Sequence, residues 1–174
     1  MTGLFQVYGP YKIDRKDVQE KKWQKAAWEW VNKKEGADLA SAKGVYVFSL
    51  RHGKKYTPLY VGMTNKGFRH EVFGLHNLNR IATKWSDEKG AIEVHLLAKR
   101  KGVHQGFSKN ISKNLLETLE VLLIFICRRG NKKLSNKKNI KWLNDIGIKG
   151  ITGIEKHQGQ PTLSIQTFKR VLKW

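Results

Sequence analysis

The stretch GVYVFSLRHGKKYTPLYVGMT, residues 44–64, decides the fold. Two apolar runs, 44–50 and 56–62, flank a basic turn containing Gly53, and that punctuation predicts a β-hairpin. Side chains alternate faces along a strand, so Tyr46 shares a face with Gly44 and Phe48, while Tyr56, Pro58, Tyr60 and Gly62 fall together on the second strand. Cross-strand aromatic packing is one use for such residues. Another is chemical: two phenols on one face can orient water or phosphate, and glycines beside them let a backbone approach closely.

Outward from the hairpin, the pattern predicts helices and one more strand. Upstream, residues 15–34 hold good helix formers without Gly or Pro. Val18, Trp23, Ala26, Ala27, Trp30 and Val31 make an apolar side, and Glu35-Gly36 ends the helix. We expect it to pack on the domain with its lysines in solvent. Downstream, Phe68 to about Lys84 suits a helix weakened in its middle by Gly74. Residues 91–98 alternate as a third strand, and Ser112 caps a strongly apolar helix running from Lys113 to Arg129. A short last helix begins after Ser164. The resulting fold class is α+β, with a small three-stranded antiparallel sheet flanked by helices.

At 174 residues with 40% apolar composition, the chain is long enough to bury a core. It carries no run apolar enough for a membrane span and no secretory leader pattern at MTGLFQVYGPYK. A single cysteine, Cys127, excludes an internal disulfide framework, a disulfide-linked partner built on several cysteines and a Cys-rich zinc site. It reads as a small buried residue of an apolar helix. These features predict a soluble, cytoplasmic protein of a reducing compartment.

Charge narrows the partner. Thirty-four Lys and Arg against 14 Asp and Glu leave a formal net charge of +20. Such an excess is tolerated most easily beside a polyanion, and neutralising phosphates releases counterions, so nucleic acid is the expected partner rather than a membrane. The segment RRGNKKLSNKKN, from Arg128, holds basic residues and asparagines with no acid. Arg128, Arg129, Lys132, Lys133 and Lys137 suit a phosphate-backbone clamp as well as a solvated loop.

The helix from Lys113 contains two acids of different surroundings. Glu117 has Lys113 and Asn114 at its i−4 and i−3 positions. Glu120 has Leu116, Leu123 and Ile124 at i−4, i+3 and i+4, so it stands on an apolar stripe. A carboxylate among leucines must find a partner, protonate or hold a cation. Mg²⁺ commonly takes one or two protein carboxylates and fills its shell with water and phosphate oxygens. A tyrosine or lysine partner is the structural alternative. Between hairpin and helix, FRHEVFGLHNLNR offers Arg69, His70, Glu71, His76 and Arg80, and one helix would put Arg69 and His76 on a common face. Phosphodiester cleavage needs a base for water, a cation and a metal to steady transition-state charge.

Taken in order, Gly44-Val45-Tyr46 and Tyr60-Val61-Gly62-Met63-Thr64 resemble the paired elements of the GIY-YIG nuclease family. The resemblance continues with Arg69, with Glu120 in Leu119-Glu120-Val121-Leu122-Leu123-Ile124, and with a later asparagine. Phe68-x-x-Glu71 and Asn136-Lys137 are similar to stand-alone bacterial members. It covers roughly residues 42–140 and implies a three-stranded antiparallel sheet flanked by helices and a metal-dependent DNA endonuclease using Mg²⁺ (or Mn²⁺). Tyr46 would then act as general base or position the attacking water, and Tyr60 would bind the scissile phosphate. Arg69 would stabilise developing charge and Glu120 would bind the metal. Asn136, with Asn131 as rival, would hold the site together. Gly44, Gly62, Thr64, His76 and the basic residues named above would contact substrate. Residues 1–41 become an N-terminal helical extension and 141–174 a basic extension that packs on the core or contacts DNA. Hydrolysis would leave 5′-phosphate and 3′-hydroxyl ends. A non-catalytic nucleic-acid-binding protein on the same scaffold, or a ribonuclease, are the alternatives.

Overall fold

The computed structural model describes residues 5–13, 21–74, 76–79, 81, 88–101 and 106–136, all of them within one compact unit, Met1–Asn136. Arg80, Lys137 and the basic C-terminal extension, with the last helix expected there, lie outside the described residues. The chain is α+β, and its sheet has four antiparallel strands: β1 (Phe5–Ile13), β2 (Gly44–His52), β3 (Lys55–Thr64) and β4 (Ala91–Lys99). Their order is β1-β4-β2-β3. The two principal helices are α1 (Lys21–Glu35) and α2 (Lys113–Gly130). No helix among the described residues is long and apolar enough to cross a membrane.

The fourth strand corrects the three-stranded expectation. FQVYGPYKI carries Gly9-Pro10 in its middle, which reads as a turn. The structure instead absorbs the dipeptide at a register shift between Tyr8 and Tyr11, on an edge strand where a missing N–H costs no ladder bond. The opposite edge solves the same problem in the same way. Pro58 of β3 pairs with Ser49 beside the shift that falls between Phe48 and Ser49 of β2.

Register assigns the faces. Tyr46 pairs with Leu96, Phe48 with Val94 and Leu50 with Ile92, all on one side. These residues form one buried cluster with Tyr11 and Ile13 of β1, Trp28 and Val31 of α1, and Val72, Phe73, Leu78 and Ile81. Burying such side chains is the main stabilisation, worth about 1.5–3 kcal/mol for each large residue. Helix α1 therefore packs on the domain as expected, while Lys25, Lys33 and Lys34 stay exposed. Helix α2 lies against β3 and β2. Its start is the one the sequence marks: Ser112 Oγ accepts the Leu115 N–H at 3.2 Å.

The helix expected from Phe68 to Lys84 does not form as one piece. Phe68–His70 is a 3-10 turn, residues 71–73 are turns, and α-helical backbone appears at 76–79. Gly74, the weak point, ends a turn by donating to the Glu71 carbonyl at 3.2 Å. Arg69 and His76 consequently do not share a helix face.

Candidate active site

The two tyrosines meet because of strand register. Tyr46 sits directly opposite Gly62, and Phe48 opposite Tyr60. A Cβ on Gly62 would lie 2.4 Å from Tyr46 Cζ, so the Tyr46 ring covers the glycine at the place where any other residue would expel it. The Tyr46 and Tyr60 ring centroids are 6.2 Å apart, and Phe48 meets Tyr46 edge-on at 5.7 Å. Tyr46 is only 2% exposed, whereas Tyr60 is half-buried. Gly44 has a different job. A Cβ there would lie 2.0 Å from the Leu97 carbonyl oxygen, so its lack of a side chain admits the neighbouring strand and Phe68 rather than a ligand.

Asn77 holds the Tyr46 hydroxyl. Its Nδ2 donates to Tyr46 Oη at 3.2 Å and to the Glu71 carbonyl at 2.8 Å. Sequence reasoning did not single out this residue. The signal was an asparagine at helical spacing between Phe73 and Ile81, both buried. Burial first, then Tyr60, Glu71 and Glu120, push the Tyr46 phenol well above the ordinary tyrosine range, against a smaller opposing effect of the Asn77 bond. The phenol stays protonated at neutral pH.

Glu120 approaches the same place from α2. Leu116, Glu120 and Ile124 succeed one another at one-turn spacing, and Leu116 and Ile124 are buried. The backbone N–H of Met63, the residue after Gly62, is near enough to favour the ionised Glu120 carboxylate. Desolvation and the charge of Glu117 nevertheless hold its carboxyl above the ordinary glutamate range. Glu117 itself is paired with Lys113 at 3.4 Å. Glu120 has no ion-pair partner among the described residues.

Asn136 is built into the hairpin. Its Nδ2 donates to the Val61 carbonyl at 2.6 Å and its Oδ1 accepts the Val61 N–H at 2.8 Å. The side-chain amide thus pairs as a strand residue would, on the free edge of β3, between Tyr60 and Gly62. Asn131 grips the same edge lower down, donating to the Pro58 carbonyl at 2.8 Å, and Ser135 N–H donates to the Leu59 carbonyl at 2.9 Å. Both asparagines hold β3, and Asn136 holds the part that carries the motif.

The other expected residues fall less centrally. Arg69 is paired with Asp38 at 3.4 Å, in a hollow shared with Lys25, Trp28 and Asn32 of α1. The Thr64 hydroxyl is buried within a turn, donating to the Gly67 carbonyl and accepting the Lys66 N–H, both at 3.2 Å. It is a turn residue, not an open phosphate contact. His76, Arg128, Arg129, Lys132 and Lys133 are exposed. Cys127 is a free, half-buried thiol pushed upward in pKa by burial.

No group of three or more His, Cys, Asp or Glu among the described residues is placed to hold a metal ion. The donor chemistry fits a cation that takes a single carboxylate: Glu120 is a hard oxygen ligand, partly desolvated and without an ion-pair partner among the described residues. Comparison with protein-family models, with curated proteins and with solved structures returned no match.

Proposed function

We propose that the chain is a metal-dependent endonuclease that hydrolyses DNA phosphodiester bonds at a GIY-YIG-type site. The observation that carries this reading is the convergence of Tyr46, Tyr60 and Glu120 around Gly62. The tyrosine rings are 6.2 Å apart, and Glu120 is close enough for the next backbone N–H to favour its carboxylate and for its charge to act on Tyr46. Glu120 would hold Mg²⁺ or Mn²⁺, which when bound supplies Lewis-acid stabilisation of charge on the phosphate.

The chain's own groups then divide the work. Tyr60, the more accessible phenol, donates a hydrogen bond to the scissile phosphate. Tyr46, held protonated by its surroundings, orients through its hydroxyl rather than removing a proton. Asn136 and Asn77 are positioning residues, the first for β3 and the second for the Tyr46 hydroxyl. Arg69 supplies positive charge to the transition state once a phosphate draws it from Asp38. The exposed basic residues from Arg128 to Lys133 attract the DNA backbone.

One observation favours a second reading, a binding protein that does not cut. Tyr46 is 2% exposed and its hydroxyl is already engaged by Asn77. Incubating supercoiled plasmid with the protein, in Mg²⁺ or in EDTA, separates the two. Metal-dependent nicking lost in Tyr60→Phe and Glu120→Ala supports the nuclease. Salt-sensitive binding without scission, on DNA and on RNA, would leave the binding protein.

A further inference from the structure

Beside the candidate centre lies a cleft of about 430 Å³ that the nuclease reading does not use. One wall is the segment from Asp38 to Lys43 and the other is Gly106 to Lys109. That volume lies in the range of about 300–1,000 Å³ usual for small-molecule sites. Its polar groups have one character. Lys43 and Lys109 bring two ammonium groups, and Ser41 and Ser108 bring two hydroxyls, around an apolar surface of Phe107. Neither lysine is paired with an acid among the described residues. The one carboxylate there among the described residues, Asp38, is occupied: it accepts from Asn32 at 3.0 Å and from Ser41 N–H at 3.3 Å, and pairs with Arg69 at 3.4 Å.

The cleft is continuous with the centre through the chain itself. Lys43 immediately precedes Gly44, the first residue of β2. Phe68 N–H donates to the Ala42 carbonyl at 3.0 Å. A Cβ on Gly67 would lie 3.1 Å from the Ser41 carbonyl oxygen, so the turn that follows Tyr60-Val61-Gly62 is seated directly on this wall. On a chain of net charge +20, lysines with no acidic partner among the described residues, and hydroxyls, around an open hollow suit an anionic, hydrogen-bond-accepting ligand.

We propose that this cleft binds the DNA backbone next to the cut, with Lys43 and Lys109 on a phosphate flanking the scissile one and Phe107 against the adjoining sugar or base. The proposal rests on the nuclease reading of the neighbouring site. It assigns the cleft a role in substrate register: contacts here set where the strand lies relative to Tyr60.

The test measures binding and cutting separately. Duplex DNA binding is titrated across a salt series for Lys43→Gln/Lys109→Gln in a Glu120→Gln background that keeps the substrate intact. The control is Lys54→Gln/Lys55→Gln, which removes the same charge from exposed positions at the far end of the hairpin. Two lost phosphate contacts predict a salt slope lower by about 1.8, a loss of affinity of roughly sixty-fold near 0.1 M salt. The control should keep the slope of the parent. Equal slopes in the two variants, or no change in either, would overturn the cleft. With Glu120 restored, the cleft variant should raise KM more than it lowers kcat. A cleft-dependent slope in a protein that never cuts would defeat the nuclease reading and leave the cleft standing. RNA binding that depends on the cleft while DNA binding does not would overturn the commitment to DNA.

Discussion

Tyr46 shows how much one residue's surroundings decide. Opposite Gly62 and beneath Asn77, its hydroxyl is buried, so the phenolate is disfavoured first by desolvation and then by the charges of Tyr60, Glu71 and Glu120. Tyr11 is raised as well, by burial and by its 2.7 Å hydrogen bond to Glu35 and the charge behind it. An unfolded tyrosine ionises near pH ~10, so stability tied to these two groups is fully present below that pH and is lost as pH rises past it. Each contributes a slope of up to about 1.4 kcal/mol per pH unit. Alkaline titration of tyrosinate absorbance, run beside denaturant unfolding, should show Tyr46 and Tyr11 ionising only as the chain unfolds, and Tyr46→Phe should shallow the slope. Ionisation of all five tyrosines in the folded chain would contradict it. The Tyr46–Gly62 pairing was only partly legible in the sequence. Alternation put each motif on one face, but the cross-strand register that seats the ring on the glycine is set by a bulge at Leu59 that no local pattern announced.

At the scale of elements, β3 is an edge strand whose outer groups are satisfied by the loop after α2. Asn136 spends both ends of its amide on Val61, which is fully buried. Asn136→Ala leaves a buried N–H and carbonyl without partners, at a cost of about 1–3 kcal/mol for each group left dry. Urea unfolding should show a loss of about 2–6 kcal/mol for the two groups together, and Asn136→Asp should fall between, since the carboxylate still accepts the Val61 N–H but cannot donate. A variant as stable as the parent would mean that water replaces the amide. Helix α2 was readable because its signals are local: Ser112 as cap, apolar spacing and a lone acid on the apolar side. Asn77 and the Arg69–Asp38 pair were not, because each depends on a partner about 31 positions away in sequence. The helix break at Gly74 was visible only as a weakness.

At the scale of the whole molecule, the sheet is completed from outside the motif region. Strand β1 pairs along β4 and contributes Tyr8, Tyr11 and Ile13 to the core, while α1 contributes Trp28 and Val31. Removing residues 1–41 would bare the β4 edge and one side of the buried cluster. Five large side chains at about 1.5–3 kcal/mol each exceed the usual net stability of about 5–15 kcal/mol at its lower end. A chain beginning at 42 should show no cooperative thermal transition, and a sharp one would contradict this. The strand escaped sequence reading because Gly9-Pro10 is the strongest turn signal in its neighbourhood, whereas an edge with a register shift is one of the few places a sheet accepts it.

The central claim is that Glu120 is kept at the site for chemistry and not for folding. Its surroundings raise its carboxyl above the ordinary range, so ionising it at neutral pH works against the folded state. Glu120→Gln keeps the shape and a side-chain oxygen acceptor while removing the charge. On one preparation of this variant, three readings beside the parent suffice: thermal stability, duplex binding and metal-dependent plasmid cleavage. We expect stability unchanged or raised by less than about 1 kcal/mol, binding retained, and cleavage reduced by about a hundredfold or more. Cleavage at the parental rate in a folded, DNA-binding Glu120→Gln protein would contradict the account.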